Sequence, residues 1–342
     1  MEPKPLSIAL AETILKRYPD PDDIPYRRWC YVQGYVLCAF ERLWEYTGDR
    51  RYFEYLARFV NQHVLPDGSV CDFTGDSLDD IMAGTTIVAL YEHTGEPQYR
   101  LAAERIRAAF ERYPRNRDGG FWHAKALPHE MWVDGVFMGG MFLVRYGRVL
   151  GDRSAFDEVA HQIVTFAGNC RKGTSGLYLH AYDEAKAAFW ADPDTGLSAE
   201  VWSEGLGWYA LILIETLAAL PADHPQRGVI LRIFEDLAEG LRTVQDPSTG
   251  LWYQVVDKGY LPDNWHDTSG SAMFVYAMQR AVDLGYLPNE PYASVARKGF
   301  EGIMTKAIRR HDGLVDIYDA CDGVCVQKSY ADYVHYPKVV NA

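Results

Sequence analysis

The chain has 342 residues, 48% hydrophobic and 24% charged, which is the balance of a globular protein long enough to bury a large core without disulfides or metals. A formal net charge of -13 gives a field that repels nucleic acid and anionic membrane surfaces, and no basic run offers a local exception. The first twenty residues carry no secretion signature and no stretch approaches a membrane span, so a cytoplasmic protein with reduced thiols is expected.

Apolar residues recur at helical spacing in long segments, while extended alternation is short and rare. The spacing predicts helices over 5–18, 29–46, 51–63, 79–93, 97–111, 131–147, 153–168, 200–219, 226–245, 269–284 and 290–307, with no convincing sheet. Pairs of helices are joined by one kind of tight turn, TGDRRY at 47–52, TGEPQY at 94–99 and LGDRSAF at 150–156. There Gly can take the left-handed C-cap and the acidic residue can cap the next helix.

Between hairpins a second element recurs: LPDGSV, RDGGFW, TSGLYLH, STGLWYQ and HDGLVDI, with glycines at 68, 119, 176, 250 and 313. Their spacings of 51, 57, 74 and 63 residues suit an array of helical hairpins with insertions at one rim. The helices at 131–146 and 201–220 are apolar on all sides, as inner-ring helices covered by an outer ring should be. The expected fold is therefore all-α, a six-hairpin (α/α)6 barrel forming a single domain over 1–342. Eleven helices against the twelve it requires place the last inner helix beyond position 342.

Nucleotide-loop, metalloprotease and hydrolase-elbow signatures are absent. Cys321 and Cys325 have no second pair beside them, so they are read as a loop with two thiols, and no metal or organic cofactor is expected. What remains is carboxylates and tryptophans. Asp134, in MWVDGVFMGGMF, is either satisfied inside a core or set at the floor of a pocket, where desolvation would raise its pKa and suit it to donate a proton. Trp132 beside it offers a face for a sugar ring. Asp79 and Asp80 open a helix; one is expected to act as N-cap and the other to face the cavity of Asp134, giving the two carboxylates that glycoside chemistry requires.

Further candidates cluster in the turn segments: His180 and Asp183; Trp202, Glu204 and Trp208; Trp265, His266, Thr268 and Ser269. Trp208 fits a packing role or a sugar platform equally well. Acid, indole and histidine at one mouth indicate a sugar-active enzyme. On these residues alone, an ordinary glycosidase, an epimerase and a non-catalytic carbohydrate-binding scaffold remain alternatives.

The run MWVDGVFMGGMF, preceded by DGGFWHAKALPHE and combined in order with SLDDIMAG, GLYLHAYD, W-x-x-G-x-G-W, GLWYQVVD and TSGSAMFVYA, resembles the unsaturated rhamnogalacturonyl hydrolases of glycoside hydrolase family 105. These are relatives of the family 88 unsaturated glucuronyl hydrolases, and the likeness spans roughly 26–340. It implies an (α/α)6 barrel, a substrate ending in a 4,5-unsaturated uronic acid, and hydrolysis led by hydration of the ring double bond. It further implies Asp134 as general acid and base, Asp79 as the second carboxylate, His180 as a substrate contact and Trp208 as a stacking platform. One departure stands out: close members have W-x-R-G-x-G-W, and the arginine position here is Glu204. Either Glu204 contacts hydroxyls while His180, Thr268, Ser269 or Lys328 meets the uronate, or the substrate preference differs. The expected partner is an unsaturated uronyl oligosaccharide, and the expected state is a monomer or weak homodimer.

Overall fold

The computed structural model describes residues 5–26 and 28–341. Among these residues eleven long helices occur in chain order: α1 (Leu6–Arg17), α2 (Tyr31–Thr47), α3 (Arg50–His63), α4 (Leu78–Thr94), α5 (Pro97–Ala109), α6 (Val133–Leu150), α7 (Arg153–Cys170), α8 (Ser203–Ala219), α9 (Arg227–Val244), α10 (Thr268–Asp283) and α11 (Asn289–Lys306), followed by the five-residue α12 (Tyr330–Val334). The even-numbered helices α2 to α10 pack side by side as an inner layer, and each is backed by the odd-numbered helix that follows it. Burial follows the layers. α4 is buried without a break from Asp80 to Leu90, and α8 from Ser203 to Ile214, whereas α3 and α5 bury one face.

The hairpin turns form as their sequences dictate. Gly48, Gly95 and Gly151 close the inner helices in the left-handed conformation, and the Asp49 and Asp152 side chains accept the Arg51 and Ser154 backbone N–H groups of the next helix. Glu96, expected to cap in the same way, makes no side-chain cap; Pro97 at the first helical position leaves one fewer N–H to satisfy. The recurrent glycines at 68, 119, 176, 250 and 313 all have positive φ. At 176 and 250 a Cβ would also meet the backbone carbonyls of Asp236 and Lys298, at 2.1 and 2.3 Å, so these turns lie directly on the outer helices α9 and α11.

The expectation of no sheet requires correction. Among the described residues three antiparallel ladders form: β1 (Glu130–Trp132) with β2 (Ala181–Asp183), β3 (Ala307–Arg309) with β4 (Val315–Ile317), and β5 (Ala320–Cys321) with β6 (Lys338–Val339). Residues 131 and 132 therefore belong to a strand and not to the predicted helix, because α6 can begin only after its chain has paired with β2. The eleven long helices are as many as the sequence predicts, and among the described residues 307–341 form β3 to β6 and α12 with no further long helix.

Where α10 and α2 approach, Arg42 of α2 donates to the Tyr276 hydroxyl of α10 and pairs with Glu215 of α8 at 2.8 Å. An apolar cavity of about 530 Å3 lies beside this pair, lined by Leu10 and Ile14 of α1, Tyr35 and Phe40 of α2, and Leu211 of α8. Among the described residues, no helix is long and apolar enough to cross a membrane.

Candidate active site

The inner helices start at one end of the molecule, and a shared position there carries the polar groups. Asp79, Asp134, Glu204 and Ser269 are each the second residue of α4, α6, α8 and α10. A carboxylate in the first turn of a helix is favoured by the positive end of the helix dipole, so four adjacent helices can present acids or hydroxyls to one mouth at little cost. The cap of α4 is neither of the two aspartates: Ser77 accepts from the Asp79 N–H at 3.2 Å. Asp80 is buried and accepts from the Thr74 hydroxyl at 3.1 Å.

The β1–β2 ladder sets the central pair. Pairing Trp132 with Ala181, and donation from Val133 N–H to the His180 carbonyl at 3.0 Å, put His180 beside the first turn of α6. His180 Nε2 then lies 3.0 Å from Asp134 Oδ2. The histidine is 1% exposed, and its Nδ1 lies 2.8 Å from the Tyr333 hydroxyl, which accepts a further hydrogen bond from the Gln327 backbone N–H. If Asp134 is ionised, Nε2 carries the proton and Nδ1 accepts from Tyr333; if Asp134 is protonated, the tautomer can reverse. Burial pushes the Tyr333 phenol up, so it keeps its proton throughout the physiological range.

Asp79 faces the same group of rings through His123, whose Nε2 is 3.7 Å from Asp79 Oδ1. His123 stacks on Trp132 with centroids 4.5 Å apart and planes within 6°, and Trp132 meets His180 edge-on at 5.9 Å. The indole N–H groups of Trp132 and Trp190 both donate to Glu130 Oε2, at 2.9 and 3.3 Å. Burial raises the Glu130 carboxyl, with the indole donors acting against it.

Glu204 lies one helix further round. Burial, together with the charges of Asp267 and Asp134, pushes its carboxyl well above the usual carboxylate range, and Ser269 Oγ is 3.0 Å from its Oε2. Trp208, one turn deeper on α8, is 4% exposed and packs against Tyr35 and Phe137 at 4.9 and 4.7 Å.

The structure thus brings together Asp79, Trp132, Asp134, His180, Glu204 and Ser269. Trp202 lies fully buried behind His180, with ring centroids 4.5 Å apart, in a cluster with Val255, Val324 and Tyr333. Trp265 is half-buried and donates to the Val334 carbonyl, holding α12 in place. Thr268 donates to the Tyr318 carbonyl. His266 turns to the outer turn instead, with Nε2 2.7 Å from Asp246 Oδ2. Burial raises the Asp246 carboxyl, but donors from Ser248, Thr249 and His266 outweigh that and bring it down to about 2. Asp183 caps the following loop, accepting from the N–H groups of Ala185, Ala187 and Ala188.

Sequence reasoning missed Tyr333, His123, Glu130 and Asp267. His123 and Glu130 flank the quoted motif and could have been found from it. Tyr333 reaches the site from 153 residues away in sequence, with no local signal. Cys321 is buried in β5 and accepts from Gln254 Nε2 at 3.1 Å, while Cys325 is exposed. Among the described residues, the group with metal-ligand spacing is Glu41, Glu45 and His93, in the C-terminal parts of α2 and α4; Glu41 is already engaged by Arg145 and by His93.

Residues 7–342 match the model of Glycosyl Hydrolase Family 88. A family 105 glycoside hydrolase of C. acetobutylicum ATCC 824 has a solved structure that superimposes with a TM-score of 0.93 at 30% identity, covering 99% of this chain and 95% of that one. The unsaturated rhamnogalacturonyl hydrolase YesR of Bacillus subtilis (strain 168) is 26% identical over 315 residues, 90% of this chain and 84% of that protein. Protein Atu3128 of Agrobacterium fabrum is 33% identical over 166 residues, 48% of this chain and 70% of its own length. The toroid of helical hairpins is thus shared with a solved glycoside hydrolase, and the chain belongs to glycosyl hydrolase family 88, a hydrolytic enzyme of the unsaturated uronyl hydrolase group that includes family 105.

Proposed function

We propose that this hydrolase removes a 4,5-unsaturated uronic acid, galacturonyl or glucuronyl, from the non-reducing end of oligosaccharides produced by polysaccharide lyases, acting as one catalytic domain over 1–342. The observation that carries the reading is the Asp134 carboxyl held against buried His180, with Asp79 at the same position of the neighbouring inner helix. In its protonated form Asp134 gives a proton to C4 of the enol ether. The resulting carboxylate takes a proton from water as the oxygen adds at C5, and the hemiketal opens and releases the neighbouring sugar. Asp79 holds that water or a ring hydroxyl. His180 follows the charge on Asp134 by changing tautomer against Tyr333. The chemistry draws on no metal or organic cofactor, because one proton activates an enol ether. Trp132, Trp208 and Ser269 complete the substrate side, with Trp202, Trp265, His266 and Thr268 supporting its walls and rim. Six free cysteines support a reducing, cytoplasmic setting, in which the protein acts as a monomer or weak homodimer.

The test follows the ultraviolet absorbance of the conjugated carboxylate on a panel of lyase-generated disaccharides, with saturated glycosides as controls. Absorbance should be lost on the unsaturated sugars alone and retained with Asp134→Asn. Turnover of the saturated controls at a similar rate would replace this reading with that of an ordinary glycosidase.

A further inference from the structure

Ser269 places one hydroxyl between two carboxyl groups. Its Oγ is 3.0 Å from Glu204 Oε2 and 2.8 and 2.9 Å from the two oxygens of Asp267. A hydroxyl has a single proton, so it can donate to one of these acids and must accept from the other.

The backbone decides between them. Asp267 accepts the N–H groups of Ser269, Gly270 and Cys321, at 3.2, 2.8 and 3.2 Å, and it caps the positive end of α10. Burial raises the Asp267 carboxyl, but three amide donors and a helix terminus act against that, whereas Glu204 has no amide donor, so of the two acids Asp267 is the one that holds the negative charge. Glu204 has Ser269 as its one hydrogen-bond partner among the described residues, and its Oε1 has none. The titratable groups around it are Asp134 of α6, Asp267 of α10, Tyr31 and Tyr35 of α2, and Cys321 and Asp322 of the C-terminal segment. The three aspartates disfavour a negative charge on Glu204, and with burial they outweigh the opposite pull of the α8 start, while the two tyrosines and Cys321, raised by their own burial, stay neutral. The proton therefore belongs to Glu204 Oε2, giving the chain Glu204 Oε2–H to Ser269 Oγ and Ser269 Oγ–H to Asp267. Burial, which leaves 7% of Glu204 exposed, acts in the same direction.

We propose that Glu204 is a specificity-determining residue that meets the substrate as a neutral acid, its carbonyl oxygen Oε1 accepting a hydrogen bond from a sugar hydroxyl, so that a hydroxyl and not a carboxylate is selected at this position. The inference rests on the unsaturated uronide reading of the same mouth. It has a sign in pH: below its folded pKa Glu204 is neutral and binds, and above it a new charge beside Asp134 repels the anionic sugar.

The experiment compares wild type with Glu204→Gln on an unsaturated uronyl disaccharide across pH, and records infrared spectra of both proteins without substrate. KM of the wild type should climb by up to about tenfold per pH unit on the alkaline side, as loss of one proton requires, while KM of Glu204→Gln stays flat because an amide does not ionise. At neutral pH the wild-type spectrum should hold a protonated-carboxyl band that Glu204→Gln lacks. Ser269→Ala, which keeps both acids, should shift that band without removing it. An equal alkaline rise in KM for both enzymes, or a carboxyl band unchanged by either substitution, overturns the proposal. A wild type that turns over no unsaturated disaccharide while the band behaves as expected locates the failure in the reaction reading instead.

Discussion

At Asp134 the carboxyl and the His180 ring are 3.0 Å apart, and the chemistry proposed for them needs the proton between them to move. Asp134→Asn preserves shape and removes the acid, so kcat should fall by between about 10²- and 10⁴-fold, the usual contribution of a positioned general acid, with KM nearly unchanged. Initial rates on an unsaturated disaccharide measure this, and a loss confined to KM would move the acid elsewhere. Tyr333→Phe tests the next link. The substitution strands His180 Nδ1 and the Gln327 N–H in a buried place, which should cost about 1–3 kcal/mol in urea unfolding. A kcat lowered by roughly tenfold, beyond what reduced folding explains, would accompany a tautomer no longer fixed. Full activity in Tyr333→Phe would make the tyrosine a packing residue alone.

The elements place these groups by close backbone approach, which small residues permit. A Cβ on Gly270 would lie 2.1 Å from Ser203 Oγ and 2.7 Å from the Ser203 backbone, where α8 and α10 touch immediately beside Glu204 and Ser269. Gly270→Ala should therefore destabilise the fold by about 1–3 kcal/mol and displace the Glu204 and Ser269 pair. Gly228→Ala is the control, since the nearest atom to its Cβ is the Arg232 guanidinium at 3.6 Å; at the exposed start of α9 it should be neutral or gain up to about 1 kcal/mol. Urea midpoints of the two variants decide the matter, and equal effects would remove the close-contact account. The same scale explains what could be read in the sequence. Helical periodicity and the turn glycines carry the hairpins because those signals are local, and 29–46 or 153–168 differ from α2 and α7 by only a residue or two. The β1–β2 ladder escaped because three residues per strand leave no alternation to detect, and its pairing partner is about 50 residues away. Asp134 is legible because a carboxylate in such apolar surroundings needs a reason, Asp79 because it opens an inner helix, and His180 and Glu204 because they lie in or beside the recurrent turn segments. His266 was misplaced because sequence adjacency to Ser269 says nothing about which way a side chain leaves the turn.

Over the whole molecule, the net charge of -13 works against an anionic substrate, while five inner-helix starts gathered at the mouth work locally in its favour. The two act at different ranges. The global field extends over a Debye length of about 10 Å at 0.1 M salt and is screened as salt rises, whereas groups lining the mouth act at contact, where mobile ions scarcely enter. Encounter should thus be limited by the screened repulsion and binding by the unscreened contacts. Raising ionic strength from about 0.01 to about 0.15 M should increase kcat/KM for an unsaturated uronyl disaccharide by a few-fold, with kcat constant. Neutralising exposed acids of the outer helices, for example Glu235 of α9 and Glu301 of α11, should reduce that salt dependence without altering kcat. A kcat/KM that falls with salt would mean instead that cationic groups at the mouth dominate the approach, and the anionic end of the substrate would then have to be assigned to a charged side chain and not to helix starts and neutral donors.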